Sequence, residues 1–327
     1  MAALATTALT LADWAKRQDP DGKVSKIVEI LNQTNEILDD MLWLEGNLPT
    51  GHRTTVRTGL PTATWRQLNY GVPKTKSTTA QVTDACGMLE VYSEIDKSLA
   101  MLNGNTAEFR LSEDKAFLEG MNQQLATALF YSDQGSNPER ITGFAPRYSS
   151  LSAGNATNII DATGSGSDNT SIYLVVWGDM TCHGIFPKGS KAGLQHQDLG
   201  EQTLLDASSN QFQGFRTHYK WDCGLSLRDW RYVVRIANVD LSDLAGATPI
   251  NLINYMIRAI NKVPNLSMGR PAFYMNRAIR TWFDIQALSK TSLALKIDEV
   301  DGKPRTSFRG IPLKTCDAIL NTETRVT

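Results

Sequence analysis

From Gly46 to Thr83 the chain carries five basic residues, no Asp or Glu, and a run of Thr, Gly and Pro with too few apolar side chains to bury a face of its own. Gly and Pro at this density prevent a helix from persisting. Alternation around His52 to Thr58 and again around Thr64 to Leu68 predicts two thin strands joined by a Gly59-Leu60-Pro61 turn. Such a segment has no core to hold it down, so it is expected to stand away from the body as a projecting β-arm. Long connections of this kind are functional or disordered.

The flanking sequence is of a different kind. Residues 10–45 predict short helices, with Thr10 and Asp13 in a capping arrangement and Val24, Ile27, Val28 and Leu31 on one apolar face. Residues 87–96 alternate as a strand, with Met88, Val91, Tyr92 and Ile95 available for burial. The clearest helix is expected at about 105–131: Asn105 and Glu108 form a capping signal, and Phe109, Phe117, Met121, Leu125 and Leu129 line a slowly winding stripe. Gly, Ser, Asn and Thr dominate 149–171, which reads as a solvated loop.

Beyond it, Ile172 to Trp177 is an apolar run. Phe215, Thr217, Tyr219 and Trp221 alternate with Arg216, His218, Lys220 and Asp222, and Trp230, Tyr232, Val234 and Ile236 alternate with Arg231, Val233 and Arg235, predicting a half-buried antiparallel pair. The last third predicts a helix over 249–263 opened by Thr248-Pro249, a buried strand at Ala272 to Met275, and a helix capped by Asn276 that carries Ile279, Trp282 and Phe283.

A chain of 327 residues, 41 % hydrophobic and 20 % charged, can bury a sizeable core. A formal net charge of -1 gives no basic excess for tight nucleic-acid binding and leaves little long-range repulsion against self-association. No run of about 18 apolar residues predicts a membrane span, and the apolar start lacks the basic residues of a signal peptide. Cys86, Cys182, Cys223 and Cys316 are widely spaced, as expected in a reducing cytosol.

Phosphate-loop, nucleophile-elbow and zinc-helix motifs are missing from the sequence. Gly164-Ser-Gly-Ser is a flexible loop rather than a dinucleotide fingerprint. Cys182 and His183, adjacent on a strand, point to opposite faces and cannot easily act together, so a buried thiol beside a partly exposed imidazole is expected. His196 with Asp198 supplies too few ligands for zinc. Asp39-Asp40 reads as a solvated helix face, and Trp221 and Trp230 as core. No catalytic, cofactor or metal residue is assigned, and the chain is expected not to be an enzyme.

Several stretches together resemble the major capsid proteins of tailed bacteriophages with the Hong Kong ninety-seven fold. They are the arm at 46–86, the long helix, and Trp177-Gly-Asp-Met with Phe186-Pro-Lys-Gly189. Ala272-Phe-Tyr-Met-Asn276 with its following helix, and Phe308-Arg-Gly-Ile-Pro312, belong to the same set. The pattern is most similar to short-tailed phage capsid proteins of the Bordetella phage type.

The resemblance implies an α+β fold with an N-terminal arm at 1–45, a projecting loop at 46–86, a peripheral domain at 87–240 and an axial-type domain at 241–327. The family's axial motifs usually precede the Gly-Asp stretch; here they follow it, which implies a rearranged strand order. The implied function is a shell subunit that forms hexamers and pentamers around double-stranded DNA without sequence-specific binding, assembled in the host cytoplasm with no membrane involved. Separate scaffolding, portal and cement proteins are implied partners. A nanocompartment shell subunit and, in a different class, a cytosolic α+β enzyme are the alternatives.

Charge is segregated. The arm holds Arg53, Arg57, Arg66, Lys74 and Lys76, for +5, whereas residues 84–119 hold eight acids against three bases, for -5. The resemblance implies that the arm of one subunit lies over the long-helix region of its neighbour, which makes these five cations and Glu108, Glu113, Asp114 and Glu119 the candidate interface residues.

Overall fold

Nine consecutive residues, Asn169–Trp177, are buried, and a strand covered on both faces needs neighbours on both edges and packing layers above and below. The computed structural model describes Leu9 and residues 33–102, 106–206, 208–246, 250–289, 295–300 and 303–327, the stretch 287–305 by its backbone alone. The expected helices over 10–32, the Asn105 cap and the Thr248-Pro249 helix start lie outside the described residues.

In chain order the elements are α1 (Ile37–Asp40), β1 (Trp43–Glu45), β2 (Gly51–Gly59), β3 (Thr78–Asp96), α2 (Lys97–Met101), α3 (Thr106–Tyr131), α4 (Phe144–Arg147), β4 (Ile159–Asp161), β5 (Asn169–Trp177) and β6 (Cys182–Phe186). They continue with β7 (Gln195–Leu205), β8 (Gln211–Leu227), β9 (Val233–Asp240), α5 (Leu241–Leu244), α6 (Leu252–Lys262), β10 (Arg270–Met275), α7 (Arg277–Ser289), β11 (Leu295–Val300), β12 (Lys303–Phe308) and β13 (Ile311–Thr315). The chain forms two compact units.

The larger unit spans Thr34–Gly87, Thr127–Ala192 and Cys223–Thr327. Here β5 pairs antiparallel with β9 on one edge and with β10 on the other, and β13 runs parallel to β10. One face of this sheet meets α6 and α7 through Leu174, Val234, Met256, Phe273, Ile279 and Phe283. The Gln286 side chain pins the two helices by accepting from Leu252 N–H at 3.0 Å and donating to Ile250 C=O at 2.6 Å. Tyr173 packs at 5.2 Å from Phe130 and 5.9 Å from Phe144, and Trp177 at 6.2 Å from Phe144.

Helix α7 begins as its sequence predicts, with Asn276 Oδ1 accepting from Ala278 N–H at 3.0 Å. The sheet joins strands from both sides of residues 240/241 in sequence, because β5 pairs with β9 before them and with β10 after them. The expected pairing of 213–222 with 230–236 is not formed. Asp229 caps a 3-10 turn at Trp230–Tyr232, the chain leaves β8 there, and the wholly buried β9 takes β4 and β5 as partners instead. Trp230, expected in the core, is 37 % exposed as a result.

A buried ion pair ties residue 323 to this sheet. Arg235 donates to Glu323 at 2.8 Å, to Ser171 Oγ at 3.0 Å and to Tyr148 C=O at 2.8 Å, while Tyr131 and Ser171 hydroxyls also donate to Glu323. Asn238 fixes Val326 through both its N–H and its C=O.

A second buried polar group is His183, 1 % exposed where partial exposure was expected. It lies edge-on to His52, with ring centroids 6.0 Å apart. Burial, reinforced by the charges of Arg228 and His52 and opposed by Asp179 and the Gly178 backbone, pushes its imidazole down to about 4.

In the smaller unit, Leu9 and Gln33 join Met88–Ala126 and Gly193–Asp222. The long helix α3 is present as expected, and 26 residues at about 1.5 Å rise give it a length of roughly 39 Å. Phe109 buries its ring beside Ile95, Leu99, Ala100 and Phe215. Strands β7 and β8 form an antiparallel ladder with a bulge between Asp198 and Glu201. Of the four apolar residues expected to bury from 87–96, only Ile95 is fully covered; Met88 is 70 % and Tyr92 42 % exposed.

Removing one partner of a buried pair leaves an uncompensated charge, at a cost of about 3–5 kcal/mol. Glu323→Ala is therefore expected to lower the urea stability of the unassembled subunit by that amount, and Arg235→Met with Glu323→Leu to recover most of it.

For His183 the folded pKa lies below the unfolded one. Between about pH 6.5 and 4 the unfolded chain binds the extra proton, and stability falls as pH falls through that window, by on the order of 3 kcal/mol. Urea midpoints between pH 7 and 4.5 should drop less steeply in His183→Gln than in the parent chain.

Candidate assembly surface

The arm begins as two strands. Thr, Val and Arg suit a pleated ribbon, and β2 pairs antiparallel with β3 from Gly51↔Ala85 to Gly59↔Thr78, with an irregularity beyond Arg57. The strand expected at Thr64–Leu68 is not formed. Residues 60–77 run without strand pairing, because Pro61, Pro73 and Gly71 interrupt any ladder there and the apolar side chains have no second layer to meet.

The base of the arm is built into the larger unit. His52 and Asp84 are buried, and Asp84 accepts from Arg147 at 2.8 Å and from Leu227 N–H at 3.2 Å. Arg228 donates to His52 Nε2 at 2.9 Å. A guanidinium can only donate, so this nitrogen carries no proton; burial and the Arg228 charge both lower the His52 pKa.

At the tip the side chains face outward. Trp65 is fully exposed, with Leu68 87 %, Leu60 78 % and Tyr70 68 % exposed. Scattered surface apolar residues need no explanation, but several on one loop mark a contact surface. Arg66 Nε donates to Tyr70 C=O at 2.8 Å and Tyr70 N–H to Gln67 C=O at 3.2 Å, curling 66–70 into a hook.

The five cations divide by position. Arg53 and Arg57 lie on β2, and Arg66, Lys74 and Lys76 lie beyond it; among the described residues none forms an ion pair. Arg53 Nε bonds Thr83 Oγ1 at 3.2 Å.

In the smaller unit α3 presents the acids unequally. Glu108 is exposed, while Glu113 and Glu119 are half-buried. Burial raises the Glu119 carboxyl, but donation from Gln33 N–H and the Gln123 amide outweighs it and holds the group below its ordinary value. Asp114 is a correction: it is buried and bonded to Tyr219, whose hydroxyl is pushed up to about 12 by burial and by the Asp114 charge. It cannot serve as a surface contact.

Leu89, Val91, Phe117 and Met121 floor a groove of about 380 Å³ rimmed by Glu90 and Glu113. A Cβ added at Gly120 would meet nothing within 4 Å, so the groove is open above it. Glu90 pairs with Lys220 at 3.5 Å and lies within hydrogen-bonding distance of His218 Nε2 at 3.2 Å.

Sequence reasoning passed over the exposed Trp65 and Tyr70, although two aromatics in a Thr-, Gly- and Pro-rich loop were a usable signal. It also passed over Asn47, His52, Asp84 and Arg228, whose roles depend on long-range neighbours. Asp198 pairs with Arg110 at 2.7 Å and Asp40 with Lys314 at 3.0 Å. Among the described residues no group of His, Cys, Asp and Glu could hold a metal ion.

A tethered two-stranded arm with an apolar tip, in a chain that also folds a unit built on a long helix, suits a subunit that meets other subunits. Comparison with known proteins bears on the class directly. A chain in the structure of bacteriophage Epsilon15 matches over 100 % of both chains with 35 % identity and a TM-score of 0.80. A chain of the bacteriophage JBD30 capsid matches with 8 % identity over 88 % of this chain and 92 % of its own, TM-score 0.49. The encapsulin of Synechococcus elongatus matches with 10 % identity over 71 % and 97 %, TM-score 0.46. No curated protein sequence matches.

The fold is thus that of tailed-phage shell subunits, of Hong Kong ninety-seven type. The family model for major capsid protein GP7 matches residues 19–327, and the chain belongs to that family. Its role is structural: it forms the icosahedral shell of the virion.

Replacing 60–77 by Asn-Gly, which closes a two-residue hairpin, should leave the thermal unfolding of the unassembled subunit unchanged within about 0.5 kcal/mol. A loss of cooperative unfolding would mean that the tip belongs to the subunit's own core.

Proposed function

We propose that the arm tip of one subunit docks on the acidic, apolar-floored face of α3 in the next, and that repetition of this contact joins subunits into hexamers and pentamers around double-stranded DNA. The observation that carries it is Trp65: fully exposed on a loop with three cations and no acid, while the same chain offers an apolar groove bordered by Glu90 and Glu113.

Magnitudes assign the roles. Covering roughly 150–250 Å² of Trp at about 25 cal/mol per Å² gives an upper bound of about 4–6 kcal/mol before ordering costs. Each exposed ion pair contributes about 0–1 kcal/mol. The apolar contact holds, and the charges orient encounter and reject wrong registers.

In this reading 46–86 is the projecting arm, the α3 unit is the peripheral domain, and 241–327 belongs to the axial domain. The DNA lies inside without base-specific contacts. Assembly takes place in the host cytoplasm, with separate scaffolding, portal and cement proteins, and involves no catalysis. None of the four cysteines forms a disulfide, which suits a reducing compartment.

The test is particle yield by electron microscopy and sedimentation. Trp65→Asp should abolish assembly outright. Arg66→Glu with Lys74→Glu should reduce yield, and Glu108→Lys with Glu113→Lys should partly restore it without rescuing Trp65→Asp. Raising salt to 1 M, where the Debye length is about 3 Å, should slow initiation. Normal assembly of the charge-reversed arm at low salt, or failure of every acidic reversal to rescue, rules the contact out.

A further inference from the structure

A second surface, at the base of the arm rather than its tip, is built to take a different partner. Strand β2 has β3 on one side only, and beside it lies a groove of about 920 Å³. One wall is β2 from His52 to Thr58; the other is Met180 with Arg228 to Arg231. The lining holds four guanidinium groups, Arg53, Arg57, Arg228 and Arg231, against one carboxylate, Asp229, which Arg231 already grips at 2.6 Å. Arg228 is shared with Asp179 at 3.2 Å and His52. Met180 and Trp230 are 59 % and 37 % exposed and give the same groove apolar contacts.

The backbone of β2 says what shape fits. Gly51 exchanges bonds with Leu48, and Arg53 exchanges both of its backbone groups with the Asn47 side chain at 2.7 Å. These two residues therefore turn their N–H and C=O away from β3. Alternation in an antiparallel pair places those of Thr55 and Arg57 on the same outward edge, and no described residue pairs with them.

We propose that this groove receives an acidic, extended segment of a separate protein, added as a strand along Thr55 and Arg57 of β2. Backbone pairing supplies the register, and carboxylates meet Arg53 and Arg57, about 13 Å apart along the strand. A DNA backbone offers acceptors only and cannot satisfy an edge of alternating donors and acceptors. Strand β7 of a second copy is disfavoured as the guest because its acids, Asp198 and Glu201, are already held by Arg110 and Lys97.

The experiment is fluorescence anisotropy on the unassembled full-length subunit, so its outcome does not depend on tip docking. The probes are a labelled peptide alternating Glu and Val, the same peptide with Lys for Glu, one with Pro at alternate positions, and a single-stranded oligonucleotide of equal charge. The Glu–Val peptide alone should bind. Thr55→Pro removes an outward N–H and leaves the β3 ladder intact; it should weaken binding at least about tenfold. Arg57→Glu should do the same and keeps the test open if the proline variant does not fold. Absence of peptide binding, equal binding of the oligonucleotide or the proline-containing peptide, or full binding by a folded Thr55→Pro subunit would overturn the proposal.

Discussion

The larger unit depends on the complete burial of β5. A strand with no wet face must satisfy every N–H and C=O laterally, and β9 and β10 do this from the two edges. The helices on either side of β10 in sequence, α6 and α7, cover one face, and Phe130 and Phe144 from α3 and α4 pack against Tyr173 and Trp177 of β5. The cost of this arrangement is polar: Ser171 and Arg235 are carried into the interior with the strands, and Glu323 answers them. A fully apolar replacement could be as stable, so the pair is better understood as fixing where residues 323–327 lie than as strengthening the core.

The arm follows from the opposite condition. Its strands are anchored by His52 and Asp84, and beyond them residues 60–77 run without strand pairing, so the ribbon is held at its root and its tip is free to be recognised. The same chain thus contains a part whose residues are satisfied internally and a part whose residues are satisfied only by another molecule. That division explains why Trp65 and Trp177, chemically identical, occupy opposite extremes of exposure.

Much of this was legible in the sequence. Period 3.6 found α3 within a residue or two, period two found β8, Asn276 announced the start of α7, and the acid-free stretch identified the arm. What failed shared one cause. Periodicity reports which face of an element is apolar but not which element covers it. The runs 213–222 and 230–236 looked like partners because they are adjacent and alternate, yet β9 sits deep in another part of the sheet. Thr64–Leu68 alternates as a strand would, but with no second strand to pair it stays open. Asp114 looked like one more acid on a charged helix; only the position of Tyr219, far away in sequence, turns it inward.

The small clamp that Asn47 makes on Arg53 has a wider consequence. A long bare strand edge is sticky toward any other extended chain, and a protein synthesised in many copies would be exposed to that hazard throughout its production. By occupying the first outward-facing backbone positions with a side chain from its own polypeptide, the arm leaves only a two-residue opening. An edge that short can hold a matching guest, but it gives an unmatched one too little ladder to grow from.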